Sequence, residues 1–158
     1  MTMKSYQDLV QDCLPQVQEL MPWDLADALE SDNPPILLDI REPYEYENVH
    51  LNPSLNVPRG ILESACEYGY EDTVPALVAA RDKEVIVICR SGNRSVLAAY
   101  VMQLMGYQSV KSLKTGVKGW NDYEQPLYNQ HNALVDTDTA DEILNVPVRP
   151  DQLAPKTS

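Results

Sequence analysis

Val85-Ile86-Val87-Ile88-Cys89-Arg90-Ser91-Gly92-Asn93-Arg94-Ser95 decides the reading of this chain. Val85 to Cys89 is β-branched and apolar up to the cysteine, the pattern of a strand buried on both faces. Ser95 to Met105 follows as a helix that is apolar on nearly all sides, and Gly106 ends it. Between them lies a short turn with a cysteine at its head. Three features converge on that cysteine. Successive backbone N–H groups of the turn can point inward as an anion nest. The following helix directs its positive end at the turn. Arg90 and Arg94 add two full charges. Each favours a thiolate at Cys89 over a thiol, and the same arrangement receives an incoming anion. Gly92 suits a position of positive φ in a tight loop.

Working outward, Ile36 to Ile40 reads as a buried strand and Leu55 to Val57 as a shorter one. Ser109 to Leu113 reads as a last strand. Helices are expected over Trp23 to Leu29, Ile61 to Tyr68, Val74 to Ala80 and Val117 to Tyr123. Tyr6 to Leu20 carries a helical apolar stripe in which Pro15 is discordant. Strands alternating with helices imply an α/β fold with a parallel or mixed sheet. Ligands on such sheets gather at the carboxyl ends of strands, where Asp39, Arg41 and Cys89 stand. From about Asn129 the chain is polar and acidic with three prolines, and it reads as a tail with little core of its own. No internal repeat is found.

The 158 residues suit one domain, and at 44% apolar the chain is neither disordered nor membrane-embedded. Its apolar runs are too short for a bilayer, which needs about 20 residues. No basic region followed by an apolar block opens the chain, so a cytosolic protein is expected. The net charge of −12 is uneven: residues 81–120 hold 7 basic and 2 acidic side chains, and the rest is net acidic. Such a chain repels nucleic acid over most of its surface, yet it can attract a small anion to its one basic segment. Three irregularly spaced cysteines argue against a disulfide framework, and neither CxxC nor paired histidines point to a metal. No cofactor is expected, and the sequence sets no oligomeric state.

The loop Cys89-Arg90-Ser91-Gly92-Asn93-Arg94 resembles the six-residue active-site loop of the rhodanese (sulfurtransferase) family, in the form seen in members that use thiosulfate. Leu37-Leu38-Asp39-Ile40-Arg41-Glu42-Pro43 is similar to the family's Asp-x-Arg-Glu signature, followed by His50 and Asn56-Val57-Pro58. Val110-Lys111-Ser112-Leu113-Lys114-Thr115-Gly116-Val117-Lys118-Gly119-Trp120 is similar to its closing strand and Gly-Trp element. The resemblance covers roughly residues 20–127. It implies a single rhodanese domain, a central five-stranded parallel sheet flanked by helices, over residues 20–128. A helical extension (1–19) precedes it and an acidic tail (129–158) follows. Two positions depart from the pattern. Val49-His50-Leu51-Asn52-Pro53-Ser54 displaces a proline and a glycine, and Thr115 replaces the first of two glycines.

The resemblance implies double displacement through a persulfide on Cys89. Thiosulfate or a similar sulfur-bearing anion is the donor, and cyanide or a thiol, small or on a sulfur-carrier protein, is the acceptor. Arg90, Ser91, Gly92, Asn93, Arg94 and Ser95 are expected to hold the anion, with Asn93 and Ser95 also able to cap the helix. Asp39 and Arg41 are expected to support the site as a structural pair. His50, Trp23 and Trp120 are read as structural, Cys13 and Cys66 as core thiols, and Lys114 and Lys118 as ordinary surface lysines or an extension of the basic rim. Two rival readings stand. One is a persulfide carrier or regulatory module. The other is a phosphatase or arsenate reductase, disfavoured because four residues separate Cys89 from Arg94 where such phosphatases place five.

Overall fold

The computed structural model describes residues 2–156. Ser5 opens the first helix with a capping box: its hydroxyl accepts from the Asp8 N–H, and the Asp8 carboxylate accepts from the Ser5 N–H. Helix α1 spans Tyr6–Cys13, a 3-10 turn covers Leu14–Gln16, and strand β1 covers Gln18–Leu20. The Tyr6–Leu20 stripe is therefore not one helix. Pro15 lacks the N–H a helix interior needs and its ring crowds the preceding turn, so the chain leaves the helix and enters the sheet.

Helix α2 (Pro22–Leu29), strand β2 (Ile36–Asp39), helix α3 (Pro43–Asn48) and strand β3 (Leu55–Asn56) follow. Two single turns, α4 (Leu62–Ala65) and α5 (Pro75–Val78), stand where longer helices were expected. Gly69 at φ 97 lies in the irregular stretch between them. Strand β4 (Glu84–Ile88), helix α6 (Arg94–Leu104), strand β5 (Ser109–Leu113) and helix α7 (Gly116–Asp122) complete the α/β unit.

The sheet runs β1-β5-β4-β2-β3, every pair parallel, as the expected five-stranded arrangement requires. Strand β4 is central and Val85 to Ile88 are fully buried, which explains their unbroken apolar run. Side chains alternate across it. Val85, Val87 and Cys89 join a core with Val10, Leu62, Leu77, Val96 and Met102. Ile86 and Ile88 join the opposite core with Leu25, Val117 and Trp120.

The C-terminal segment departs from the tail expected of it. Strands β6 (Leu127–Tyr128) and β7 (Leu134–Val135) form an antiparallel pair, and helix α8 covers Thr137–Leu144. Asp136 caps α8 by accepting from the Thr139 N–H. Ala140 and Leu144, four residues apart on one face, are buried in the Ile86–Ile88 core. The acidic composition hid this helix because only Ala140, Ile143 and Leu144 form its apolar face. Leu144→Ala is expected to destabilise the whole protein by about 2–3 kcal/mol, read as a lower denaturation midpoint in urea. A substitution in an undocked tail would leave the midpoint unmoved.

Candidate active site

Asp39 and Cys89 lie where β2 and β4 end, side by side at the carboxyl edge of the sheet. Cys89 is 1% exposed. Its Sγ accepts the backbone N–H of Gly92 at 3.1 Å and that of Ser95 at 3.3 Å, and the Ser95 hydroxyl lies 3.3 Å away. Two N–H donors thus point at one sulfur, whose thiol faces the Ser95 hydroxyl oxygen. Helix α6 begins at Arg94 and adds its positive end.

Glycines give the loop its shape. Gly92 has φ 92, and a Cβ there would stand 2.8 Å from the Thr115 nitrogen. Gly116 has φ 61, and a Cβ there would overlap the Cys89 carbonyl oxygen. The loop and the β5–α7 turn therefore pass each other backbone to backbone. The Val117 and Lys118 N–H groups use this approach to bind the Cys89 and Arg90 carbonyls, each at 2.9 Å. Thr115 occupies a left-handed position at φ 69 without being glycine, a strain of about 1 kcal/mol.

The loop residues divide in their contacts. Gly92 and Ser95 touch the sulfur. Ser91 is exposed, and neither its N–H nor those of Asn93 and Arg94 reach Sγ. Asn93 precedes α6 with helical backbone angles and makes no side-chain cap, so the expected capping role is not seen. Ser95 lies inside the helix and its hydroxyl turns back to Cys89 instead. That hydroxyl also pairs at 2.7 Å with Ser112 on β5, and both serines are fully buried. Ser112 escaped the sequence reading. Its one signal was its place two residues after Val110, on the same inward face of β5.

The arginines stand beside the sulfur, each engaged with another partner. Arg90 donates from Nη1 to the Leu144 carbonyl at 2.9 Å, which caps the end of α8. Arg94 makes a two-pronged pair with Glu45, both contacts at 2.9 Å. Burial works against the Glu45 carboxylate, but the Arg94 hydrogen bonds outweigh it and hold Glu45 below its ordinary range; the same pair pushes the Arg94 guanidinium up. Glu45 was not singled out from sequence. It sits on α3, whose start was legible in Glu42-Pro43-Tyr44-Glu45: Pro43 opens the helix and Glu45 reaches back to the Glu42 N–H. Tyr6 on α1 also lies within electrostatic reach of Cys89, Arg90 and Arg94; burial first, then charge on Cys89, pushes its phenol up.

Asp39 and Arg41 form a fully buried ion pair, with Arg41 Nη2 2.9 Å from the carboxylate and also donating to the Val49 carbonyl. Asn56 donates to the Asp39 and Arg41 carbonyls. His50 is buried, stacked on Tyr46 and paired with its carbonyl through Nδ1. These contacts tie β2 and β3 to the loops above them. Trp120 is buried, whereas Trp23 is half exposed against Tyr123. Cys66 is buried, which pushes its thiol up as befits an inert core cysteine. Lys114 is exposed and Lys118 partly buried, with no side-chain bond to the loop.

The family model for the rhodanese-like domain matches residues 21–123. The chain belongs to the rhodanese-like family. The rhodanese domain matches the Schizosaccharomyces pombe protein named "Putative thiosulfate sulfurtransferase, mitochondrial" with 27% identity over 103 residues, 63% of this chain and 72% of that one. It matches the adenylyltransferase and sulfurtransferase UBA4 of Candida albicans with 31% identity over 104 residues, 64% of this chain but only 23% of that one. Among solved structures, protein RPA3614 of Rhodopseudomonas palustris, described as of unknown function and a possible tyrosine phosphatase, superposes with a TM-score of 0.70 at 26% identity, over 80% of this chain and 96% of that one. The thiosulfate sulfurtransferase of Pseudomonas aeruginosa shares the fold, with a TM-score of 0.60 at 22% identity over 83% of this chain and 24% of that one.

Two outcomes test this geometry. Gly92→Ala should destabilise the protein by about 2 kcal/mol or more, because both the positive φ and the approach to Thr115 forbid a Cβ; thermal melting measures it. Glu45→Gln should cost about 1 kcal/mol at pH 7, since the pair is only partly shielded from water. Glu45 is depressed in the folded state, so its contribution is present above the unfolded value and is lost as pH falls through the folded one. Denaturant curves of the wild type and Glu45→Gln should therefore converge only once the pH falls below the ordinary glutamate range and through the depressed folded-state value.

Proposed function

We propose that this protein is a sulfurtransferase that carries sulfane sulfur from thiosulfate on Cys89 and passes it to a thiol or to cyanide. The observation that carries the reading is the pair of N–H groups, from Gly92 and Ser95, aimed at the Cys89 sulfur at the head of a six-residue loop in a rhodanese domain. Relatives named for sulfur transfer and for sulfur carriage support it.

The Cys89 thiolate attacks the outer sulfur of thiosulfate. The sulfur–sulfur bond of the donor breaks, and sulfite leaves with the electron pair. The outer sulfur remains on Cys89 as a persulfide, held by the Gly92 and Ser95 N–H groups and the Ser95 hydroxyl. Arg90 and Arg94 act at longer range, because their guanidinium groups are engaged with Leu144 and Glu45. They keep the loop electropositive and offset the charge that grows on sulfite. Ser91 and Asn93 complete the turn. Asp39 and Arg41 position the end of β2 beside it.

The phosphatase reading is the weaker one. A phosphoryl group needs a guanidinium fork to receive two of its oxygens, and the Arg94 fork is closed on Glu45.

Mass spectrometry after incubation with thiosulfate should show a gain of one sulfur atom, lost on adding cyanide and absent in Cys89→Ser. No gain, or a gain that survives the substitution, sinks the proposal. Aryl-phosphate turnover that depends on Cys89 would instead revive the phosphatase.

A further inference from the structure

Helix α1 lies outside the residues matched to the family, yet the fold brings its first turn to the active-site edge. Strand β1 runs parallel to β5, and α1 is joined to it through the short 3-10 turn at Leu14–Gln16. The helix therefore runs against the strand direction, and its N-terminal end comes to the carboxyl edge of the sheet, where Cys89 stands. It packs there against α6, which starts at the same edge. Val10 of α1 is buried in the core that holds Cys89 and Val96. Tyr6 stands one turn earlier on the same face, so it extends that face from the core toward the loop. Its phenol lies within electrostatic reach of Cys89, Arg94 and Arg90, and the Arg94 guanidinium responds to the phenol in turn.

A donor such as thiosulfate brings two ends to this site. The outer sulfur meets Cys89. The sulfonate oxygens, which carry charge away with sulfite, need hydrogen-bond donors of their own. The Gly92 and Ser95 N–H groups are aimed at the cysteine sulfur. The Arg94 fork is closed on Glu45, and Arg90 holds the Leu144 carbonyl. A cavity of about 540 Å³ lies beside the loop, lined by Arg90, by Tyr44 and Glu45, and by the segment after α8. Cys89 does not line it, so the groups that meet a donor at the sulfur belong elsewhere. Among the described residues no group bonds the Tyr6 hydroxyl, and half of the residue is open to water. Burial first, then charge on Cys89, pushes the phenol up, so at neutral pH it keeps the proton that a donor needs.

We propose that Tyr6 recognises the sulfonate end of the donor, its hydroxyl donating a hydrogen bond to a sulfonate oxygen while the outer sulfur lies at Cys89. The inference rests on Cys89 being the atom that receives sulfur. Cys89 forms its bond to the outer sulfur, the sulfur–sulfur bond of the donor breaks, and sulfite leaves with the electron pair. Tyr6 keeps its proton throughout and acts only as a hydrogen-bond donor. Its role is selection: it favours a sulfur donor that carries an oxyanion over one that carries none.

The test compares two donors on the full chain. Thiosulfate has sulfonate oxygens. Inorganic tetrasulfide has no oxygen; its terminal sulfur bonds to Cys89 and trisulfide leaves with the electron pair. The second-order rate of loading is followed by alkylation and mass analysis of the peptide that carries Cys89. Tyr6→Phe keeps the ring and removes only the hydroxyl. It should lower the ratio of the thiosulfate rate to the tetrasulfide rate about tenfold, equivalent to about 1.4 kcal/mol. Leu9→Ala disturbs the same helix at another exposed position and should leave the ratio as in the wild type. A ratio unmoved by Tyr6→Phe, or lowered as much by Leu9→Ala, overturns the assignment. A wild-type chain that loads from neither donor fails the sulfurtransferase reading itself, whereas loading from both with an unmoved ratio refutes the role of Tyr6 alone.

Discussion

The convergence of the Gly92 and Ser95 N–H groups on the Cys89 sulfur is the contact on which the rest of the site depends. It requires the chain to turn back within a few residues of leaving β4. That turn is open only because two backbones approach with no side chain between them: Gly92 against the Thr115 nitrogen, and Gly116 against the Cys89 carbonyl. The β5–α7 turn then binds the two carbonyls that the loop leaves outward. A buried loop with orphaned polar groups would be costly, and here the groups around Cys89 are paired. Among the described residues no buried side-chain nitrogen or oxygen lacks a hydrogen-bond partner.

Around this nest the charges are arranged in layers. The sulfur meets neutral partners, two N–H donors and a hydroxyl oxygen that Ser112 holds from behind. The full charges stand one step outward and are pinned by other partners. Arg94 is fixed by α3 through Glu45, and Arg90 by α8 through Leu144. Such anchoring holds both guanidinium groups in place beside the loop. It also couples the loop to both flanking helices, so the C-terminal segment is built into the site although the family motif stops short of it.

The strand-turn-helix around Cys89 was legible from sequence because its signals are local. A β-branched run fixes a buried strand, a glycine marks the turn, and an apolar stretch marks the buried helix. The same holds for β2 and β5. The capping pattern of α3 was present in Glu42-Pro43-Tyr44-Glu45 and went unread. Strand β1 was hidden because Gln18-Glu19-Leu20 has no strand signature; it is a strand only because β5 offers it an edge. Helix α8 was hidden because a short face, Ala140, Ile143 and Leu144, suffices to dock it.

Sequence alone determined that Cys89 heads an electropositive loop between a buried strand and a buried helix, since residue type, spacing and charge within some ten positions specify it. Tertiary structure decided which groups act on the sulfur and which support it from a distance. The partners of Ser95, Arg94 and Arg90 are Ser112, Glu45 and Leu144, each from a separate element and up to 54 residues away. No local pattern encodes such pairings, because they exist only once the sheet has placed its strand ends along one edge. The same is true of the cavity beside the loop, which is lined by Arg90 and by residues within 41–48 and 143–152.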